Sequence, residues 1–293
     1  MKNTHQRLVQ QLSQLASEGM FGHSIKESQQ HYDQLKLLGG VAVLIQVACD
    51  FQEETERQVQ EINEIRSRVC QLLIVAYREA KRKDPEIALA FVHSFIEDYP
   101  SIPESSLLTR WCSLTQSSLA AREISHSQNR LLTWQIYKQL FQSYNEFLNG
   151  LLSYLIILWR TSLGKTVNLQ VFDTNYANKV NDFNTLTGGE NGVFYIFGRL
   201  ARPKIRNAIA HESIWFDSEA MKVRFTDGRG NTKVESEMDF TEFIVLAGLG
   251  SHLAHAYIAA ISVIAVMEDG TDFAKSLLPH QLVKVFNYLP DAS

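Results

Sequence analysis

The sequence predicts an all-α fold: a C-terminal helical bundle over 127–293 with a β-hairpin inserted at about 221–236, a linker with a short helix over 101–126, and an N-terminal helical region over 1–100. Three observations carry this. Apolar residues recur at helical spacing through most of the chain. One stretch, Met221–Ser236, changes to a period of two. Between them, YPSIPESS at Tyr99–Ser106 gathers two prolines and three serines into eight residues, where helices stop.

The elements follow in order. HYDQLKLLGGVAVLIQVACDF reads as helix with a break at Gly39 and Gly40, the mixed charges of QEETERQVQEINEIRSR suit a solvated helix, and VCQLLIVAYREAKRKD returns to apolar periodicity before a basic end. PEIALAFVHSFIEDYP closes the N-terminal region. Ser127–Arg160 reads as one long helix, apolar at Leu132, Ile136, Leu140 and Tyr144 and almost wholly so from Phe147 to Trp159, which makes it central to a bundle. Short helices are expected at Tyr176–Leu186 and Gly192–Leu200, and Pro203 starts another, since its fixed φ and missing donor are tolerated at a first helical position. In the alternating stretch Met221, Val223 and Phe225 interleave with Lys222, Arg224 and Thr226, and DGRGN supplies the turn. A long apolar helix from about Asp239 and a short one in PHQLVKVFNYL complete the chain.

With 293 residues, 45% of them hydrophobic, the chain has ample material for one large domain or two modest ones. Lys and Arg total 28 against 32 Asp and Glu, a net charge of -4, so the surface offers no general attraction to polyanions and any nucleic-acid contact must be local. Cys49, Cys70 and Cys112 are odd in number, far apart and without a C-x-x-C pair, which predicts free thiols in a reducing compartment and no structural zinc. The polar start MKNTHQRLVQQLSQLASEG lacks the apolar core of a signal peptide, and a cytoplasmic location is expected. Phe243–Met267 contains no Asp, Glu, Lys or Arg and has the length of a membrane span. Its flanks are both acidic, and His252, His255, Ser251, Gly248 and Gly250 dilute it, so a bundle helix buried on all sides is the expectation and membrane association the alternative.

The chemistry concentrates in IRNAIAHESIWFD, Ile205–Asp217. On a helix advancing about 100° per residue, Ile205, Ala208 and Ile209 form a buried stripe, while Arg206, Asn207 and His211 share the opposite face with only the Ala210 methyl between them. Arg206 and His211 are about 7.5 Å apart in rise, so one copy frames a site, and a two-fold dimer would bring two arginines and two histidines around one cleft. His211 stands near the helix end, where the dipole favours imidazolium. Such a group can take the proton of a ribose 2′-OH or protonate a leaving 5′ oxygen while the guanidinium holds charge on the phosphoryl oxygens, with no metal needed.

RNAIAH, an arginine followed directly by Asn and, after four intervening residues, a histidine, resembles the Arg-x(4 to 6)-His signature of HEPN domains. The order of long helices before it and one long apolar helix after it resembles that family too, over roughly Ser127–Gly270. The resemblance implies a metal-independent endoribonuclease acting as a homodimer with a composite site, of the kind found in toxin-antitoxin, phage-defence and RNA-processing systems. Arg206 and His211 are then the implied catalytic pair, Asn207 the supporting polar residue, and 2′,3′-cyclic phosphate and 5′-OH the product ends. No cofactor is implied. An antitoxin or defence-system partner is.

Other residues carry weaker signals. Arg199, Arg202, Lys204 and Arg206 cluster within eight residues and could track phosphates, with Arg224 and, farther along the hairpin, Lys222, Arg229 and Lys233 extending the patch; the bland reading is a solvated helix flank and an ordinary charged ribbon. Trp215, Phe216 and Tyr195 could stack on unpaired bases, but core aromatics are the expectation. His252 and His255 lack a nearby carboxylate or cysteine and read as core histidines, SLGKT at Ser162–Thr166 lacks the first glycine of a phosphate loop, and no G-x-S-x-G occurs. The rival to RNA cleavage is a non-catalytic helical RNA-binding or protein-interaction scaffold in which the same polar residues cap a helix end.

Overall fold

The computed structural model describes residues 2–21, 41–228 and 234–287. The described chain is mostly helical, with a small antiparallel sheet inserted before its last long helix. Its helices are α1 (Lys2–Ser17), α2 (Val41–Glu56), α3 (Gln60–Lys81), α4 (Pro85–His93), α5 (Leu108–Glu123), α6 (Arg130–Ser162), α7 (Tyr176–Leu186), α8 (Tyr195–Leu200), α9 (Pro203–Ala210), α10 (Phe240–Asp269), α11 (Asp272–Ser276) and α12 (His280–Asn287). The expected break at Gly39 and Gly40 and the turn residues Arg229 to Lys233 lie outside the described residues.

Two compact units form, and both are discontinuous in sequence: residues 1–108, 153–172 and 255–293 make one, and 109–152 with 173–254 make the other. The first crossing, at Leu108–Thr109, falls at the start of α5, just after the proline- and serine-rich stretch Tyr99–Ser106. Two others fall within α6 and α10. At 33 and 30 residues these helices run about 45–50 Å, longer than a small domain is wide, so each contributes residues to both units.

In the first unit the core is set by Tyr99, Tyr154 and Phe172, with ring centroids 5.3–6.0 Å apart, and by Tyr257 against Phe91 and Phe95. Arg66 of α3 is buried there at 1% exposure, bonded to Thr55 Oγ1, 3.3 Å from Glu54 and 3.3 Å from His255 Nδ1, and stacked over the Phe51 ring. His255 therefore belongs to an ion cluster. Among the described residues no group of three or more His, Cys, Asp and Glu could hold a metal.

The second unit contains the sheet, in the order β1 (Ile214–Asp217), β2 (Lys222–Asp227), β3 (Val234–Asp239). The β2–β3 hairpin is the one the alternation predicts. β1 is an addition: IWFD is too short to show a period, and it becomes a strand only by pairing with β2, Ile214 opposite Phe225 and Phe216 opposite Val223. Phe216 packs on Phe240 and Trp134, which joins Phe243 and Phe141 in one aromatic cluster. The α6–α10 crossing is close at Gly250, where a Cβ would stand 2.3 Å from the Tyr144 ring, so only glycine lets the two backbones approach there.

Of the described helices, α10 alone is long and apolar enough to cross a membrane, by length and composition. From Ala256 to Val266 every residue is buried within the protein, the pattern of a bundle core helix.

Candidate functional site

The site is built where α9 meets α6 and α7. Pro203 occupies the first position of α9, and the stripe that its spacing predicts is buried, with Ile205, Ala208 and Ile209 at 7% exposure or less. The opposite face carries Arg206 and Asn207, half-buried, and His211, exposed.

How α9 ends fixes the histidine. His211 is the C-cap, Glu212 adopts a left-handed φ of 54°, and two hydrogen bonds close the turn: Glu212 N–H donates to Ile209 O at 3.1 Å and Ser213 N–H to Ala208 O at 2.8 Å. This is the Schellman pattern, with glutamate where glycine is usual, at the cost of some backbone strain. The Ser213 hydroxyl donates to the carbonyls of Ala208 and Thr226, binding the turn to β2. The helix thus stops at His211 and the chain leaves as β1. The imidazole stands in solvent with no hydrogen bond among the described residues.

Arg206 is held differently. Its Nε donates to Glu146 Oε1 at 2.7 Å, its Nη2 lies 2.6 Å from the same oxygen, and its Nη1 donates to Asn207 Oδ1 at 3.2 Å. Side-chain hydrogen bonding therefore unites Arg206 and Asn207, while His211 is joined to Asn207 through the backbone, its N–H donating to Asn207 O at 2.9 Å, and its imidazole bonds to neither among the described residues.

Behind this pair lies a polar cluster in a mainly apolar setting. Asn145, fully buried, accepts from the Tyr176 hydroxyl at 2.9 Å and from Arg202 N–H at 3.1 Å through Oδ1, and donates through Nδ2 to Phe141 O at 2.9 Å. One side chain thereby fastens α7 and the start of α9 to α6. The Tyr144 hydroxyl adds a bond to Leu200 O at 3.3 Å. Burial, with Tyr144 and Glu146 beside it, pushes the Tyr176 phenol well above its ordinary range, so it remains a neutral donor.

The basic cluster expected to track phosphate is divided. Arg199 and Lys204 are exposed. Arg202 instead folds back onto its own backbone, donating to the carbonyls of Arg199 and, at 2.9 Å, Ala201 at the end of α8. Arg224 is paired with Asp217 at 3.3 Å and Glu237 at 3.7 Å. It sits on a sheet face where Asp217, Glu235, Glu237 and Asp239 outnumber Lys222 and Arg224. Arg229 and Lys233 lie outside the described residues. Of the aromatics, Phe216 is half-buried against Phe240 and Trp134, Tyr195 is half-buried, and Trp215 departs from expectation at 45% exposure.

Asn145, Glu146, Tyr176 and Lys179 escape sequence reading as site residues, although the adjacent Asn145 and Glu146, just before the apolar run of α6, are the available signal. Lys179 is 4% exposed with Nζ 3.5 Å from Asn149 O. Burial, then Arg110, depress its pKa from the ordinary 10.5 to about 8 against the pull of Asp173 and Glu146. Because the folded value lies below the unfolded one, the unfolded chain binds the extra proton between about pH 8 and pH 10. Stability therefore rises with pH across that window, and the penalty is fully present below it. Lys179→Met is expected to be more stable relative to wild type at pH 7 than at pH 10, as read from urea unfolding at each pH. A difference independent of pH contradicts this.

Of the cysteines, Cys49 is pushed up to about 11 by burial and the adjacent Asp50 and Glu53, and Cys70 to about 12 by burial, so neither is a thiolate nucleophile at neutral pH. Comparison with profiles of known protein families, with curated proteins and with solved structures gives no match.

Proposed function

We propose that the chain is a metal-independent endoribonuclease of the HEPN type, active as a homodimer and serving as a toxin or phage-defence effector controlled by an antitoxin or defence-system partner. The observation that carries this reading is the division of labour on α9: a guanidinium fixed by neighbours at one end and an exposed imidazole, without a hydrogen-bond partner among the described residues, at the other, both on the face away from the core. In the proposed reaction His211 takes the proton from a ribose 2′-OH. The 2′ oxygen bonds to phosphorus, the bond from phosphorus to the 5′ oxygen breaks, and that oxygen leaves protonated by the second histidine of the dimer. Arg206 meets the charge that builds on the non-bridging oxygens. Exposed Arg199 and Lys204 contact the flanking phosphates.

The test is to incubate purified protein with total RNA in EDTA and map the ends. Cuts carrying 2′,3′-cyclic phosphate and 5′-OH are expected. Intact RNA, or cleavage that requires added Mg²⁺, refutes the reading. A second reading, a helical scaffold without catalysis, is favoured by one observation, that Arg206 already ties α9 to α6 through Glu146. It predicts RNA left intact in the same assay.

A further inference from the structure

Arg206 carries five N–H donors, and its partners account for three of them. The Nε–H and one hydrogen of Nη2 face Glu146 Oε1, at 2.7 and 2.6 Å, and one hydrogen of Nη1 goes to Asn207 Oδ1 at 3.2 Å. What remains is one N–H on each terminal nitrogen. That pair is what a guanidinium uses to grip two oxygens of one phosphate end-on. The Arg206 side chain is 26% exposed, and the Glu146 carboxylate, which occupies its side edge, is 33% exposed. Glu146 comes from α6, whose next residue inward, Asn145, is locked by three hydrogen bonds, so the carboxylate is presented from a fixed backbone. Its second oxygen takes no hydrogen bond among the described residues.

We infer that Glu146 is a positioning residue: it occupies the side edge of the Arg206 guanidinium and thereby aims the two terminal N–H groups at a phosphodiester of the bound strand. The inference rests on the reading that this face meets RNA, and it assigns the geometry of the phosphate contact and a residue outside the Arg-Asn-His stretch. It makes a prediction of counterintuitive sign. By charge alone, removing a carboxylate beside a polyanion site tightens binding. If the carboxylate instead aims the arginine, losing its reach weakens binding even though a negative charge is retained.

Two variants of opposite design separate these effects in full-length protein, with a 2′-O-methyl oligoribonucleotide, which cannot be cleaved, as the probe at low ionic strength. Glu146→Gln keeps the length and an acceptor oxygen but loses the charge, and it is expected to bind within about twofold of wild type. Glu146→Asp keeps the charge but withdraws the oxygen by one methylene, and it is expected to bind about 5–10-fold more weakly, the loss of one charge-assisted contact. Arg206→Ala should remove the difference between Glu146 and Asp at that position, because there is then nothing to aim. Tighter binding by Glu146→Gln with Glu146→Asp at the wild-type level overturns the inference and makes Glu146 a competitor of the phosphate. Equal binding by all three also overturns it, and so does an absence of saturable binding by wild type. Binding in the expected pattern by a protein that leaves cleavable RNA intact sustains the inference and defeats the catalytic reading.

Discussion

His211→Ala is expected to lower RNA cleavage by about 10²–10⁴-fold, the usual contribution of a positioned acid or base, while leaving stability within about 0.5 kcal/mol of wild type. The His211 side chain does nothing for the fold. It is exposed, makes no hydrogen bond among the described residues, and follows the last residue of α9 as a C-cap whose capping is done by its backbone and by Glu212 and Ser213. The Schellman turn needs backbone groups alone, so alanine at 211 preserves it. Single-turnover cleavage of a labelled RNA, alongside a urea denaturation curve, measures both quantities. Loss of activity together with a large loss of stability would place the histidine in the architecture. Undiminished cleavage would remove it from the chemistry.

The second large effect belongs to Asn145→Leu, which is expected to destabilise the protein by about 3 kcal/mol. Leucine matches the volume but offers no acceptor for the buried Tyr176 hydroxyl or for the part-buried Arg202 N–H. Orphaning a buried donor costs about 1–3 kcal/mol, and two are orphaned together. The same change loosens the start of α9 and so reaches Arg206 from behind. A shift of the urea midpoint corresponding to less than about 1 kcal/mol would mean that the two donors find other partners, and the role given to Asn145 as the fastening point would fall.

These two residues also show how far the sequence could be read. His211 was legible because it lies within five residues of Arg206 on one short helix, and helical geometry alone puts both opposite the Ile205–Ala208–Ile209 stripe. Asn145 was not, since its partners lie 31 and 57 residues away on other elements, and no local periodicity carries that information. Glu146, 60 residues before Arg206, escaped for the same reason. Arg202 and Arg224 show what a count of positive charges along the chain leaves out: in the fold one donates to carbonyls at the end of the preceding helix and the other pairs with carboxylates across the sheet. Trp215 and Phe216 are adjacent and chemically alike. Only the pairing of β1 with β2 determines that one faces the aromatic cluster and the other faces water.

What the sequence determined by itself was therefore local: the helical class, the approximate extents of the two longest helices, the β2–β3 hairpin, and the face of α9 that carries Arg206, Asn207 and His211. Hydrophobic periodicity and turn chemistry act over a few residues and can be read directly. Tertiary structure alone decided which charges are spent and which remain available, how two helices of about 30 residues are shared between two compact units, and which carboxylate meets Arg206. Ion pairs and buried hydrogen bonds form between whatever groups the packed backbone brings within about 3 Å, and that proximity is a property of the fold.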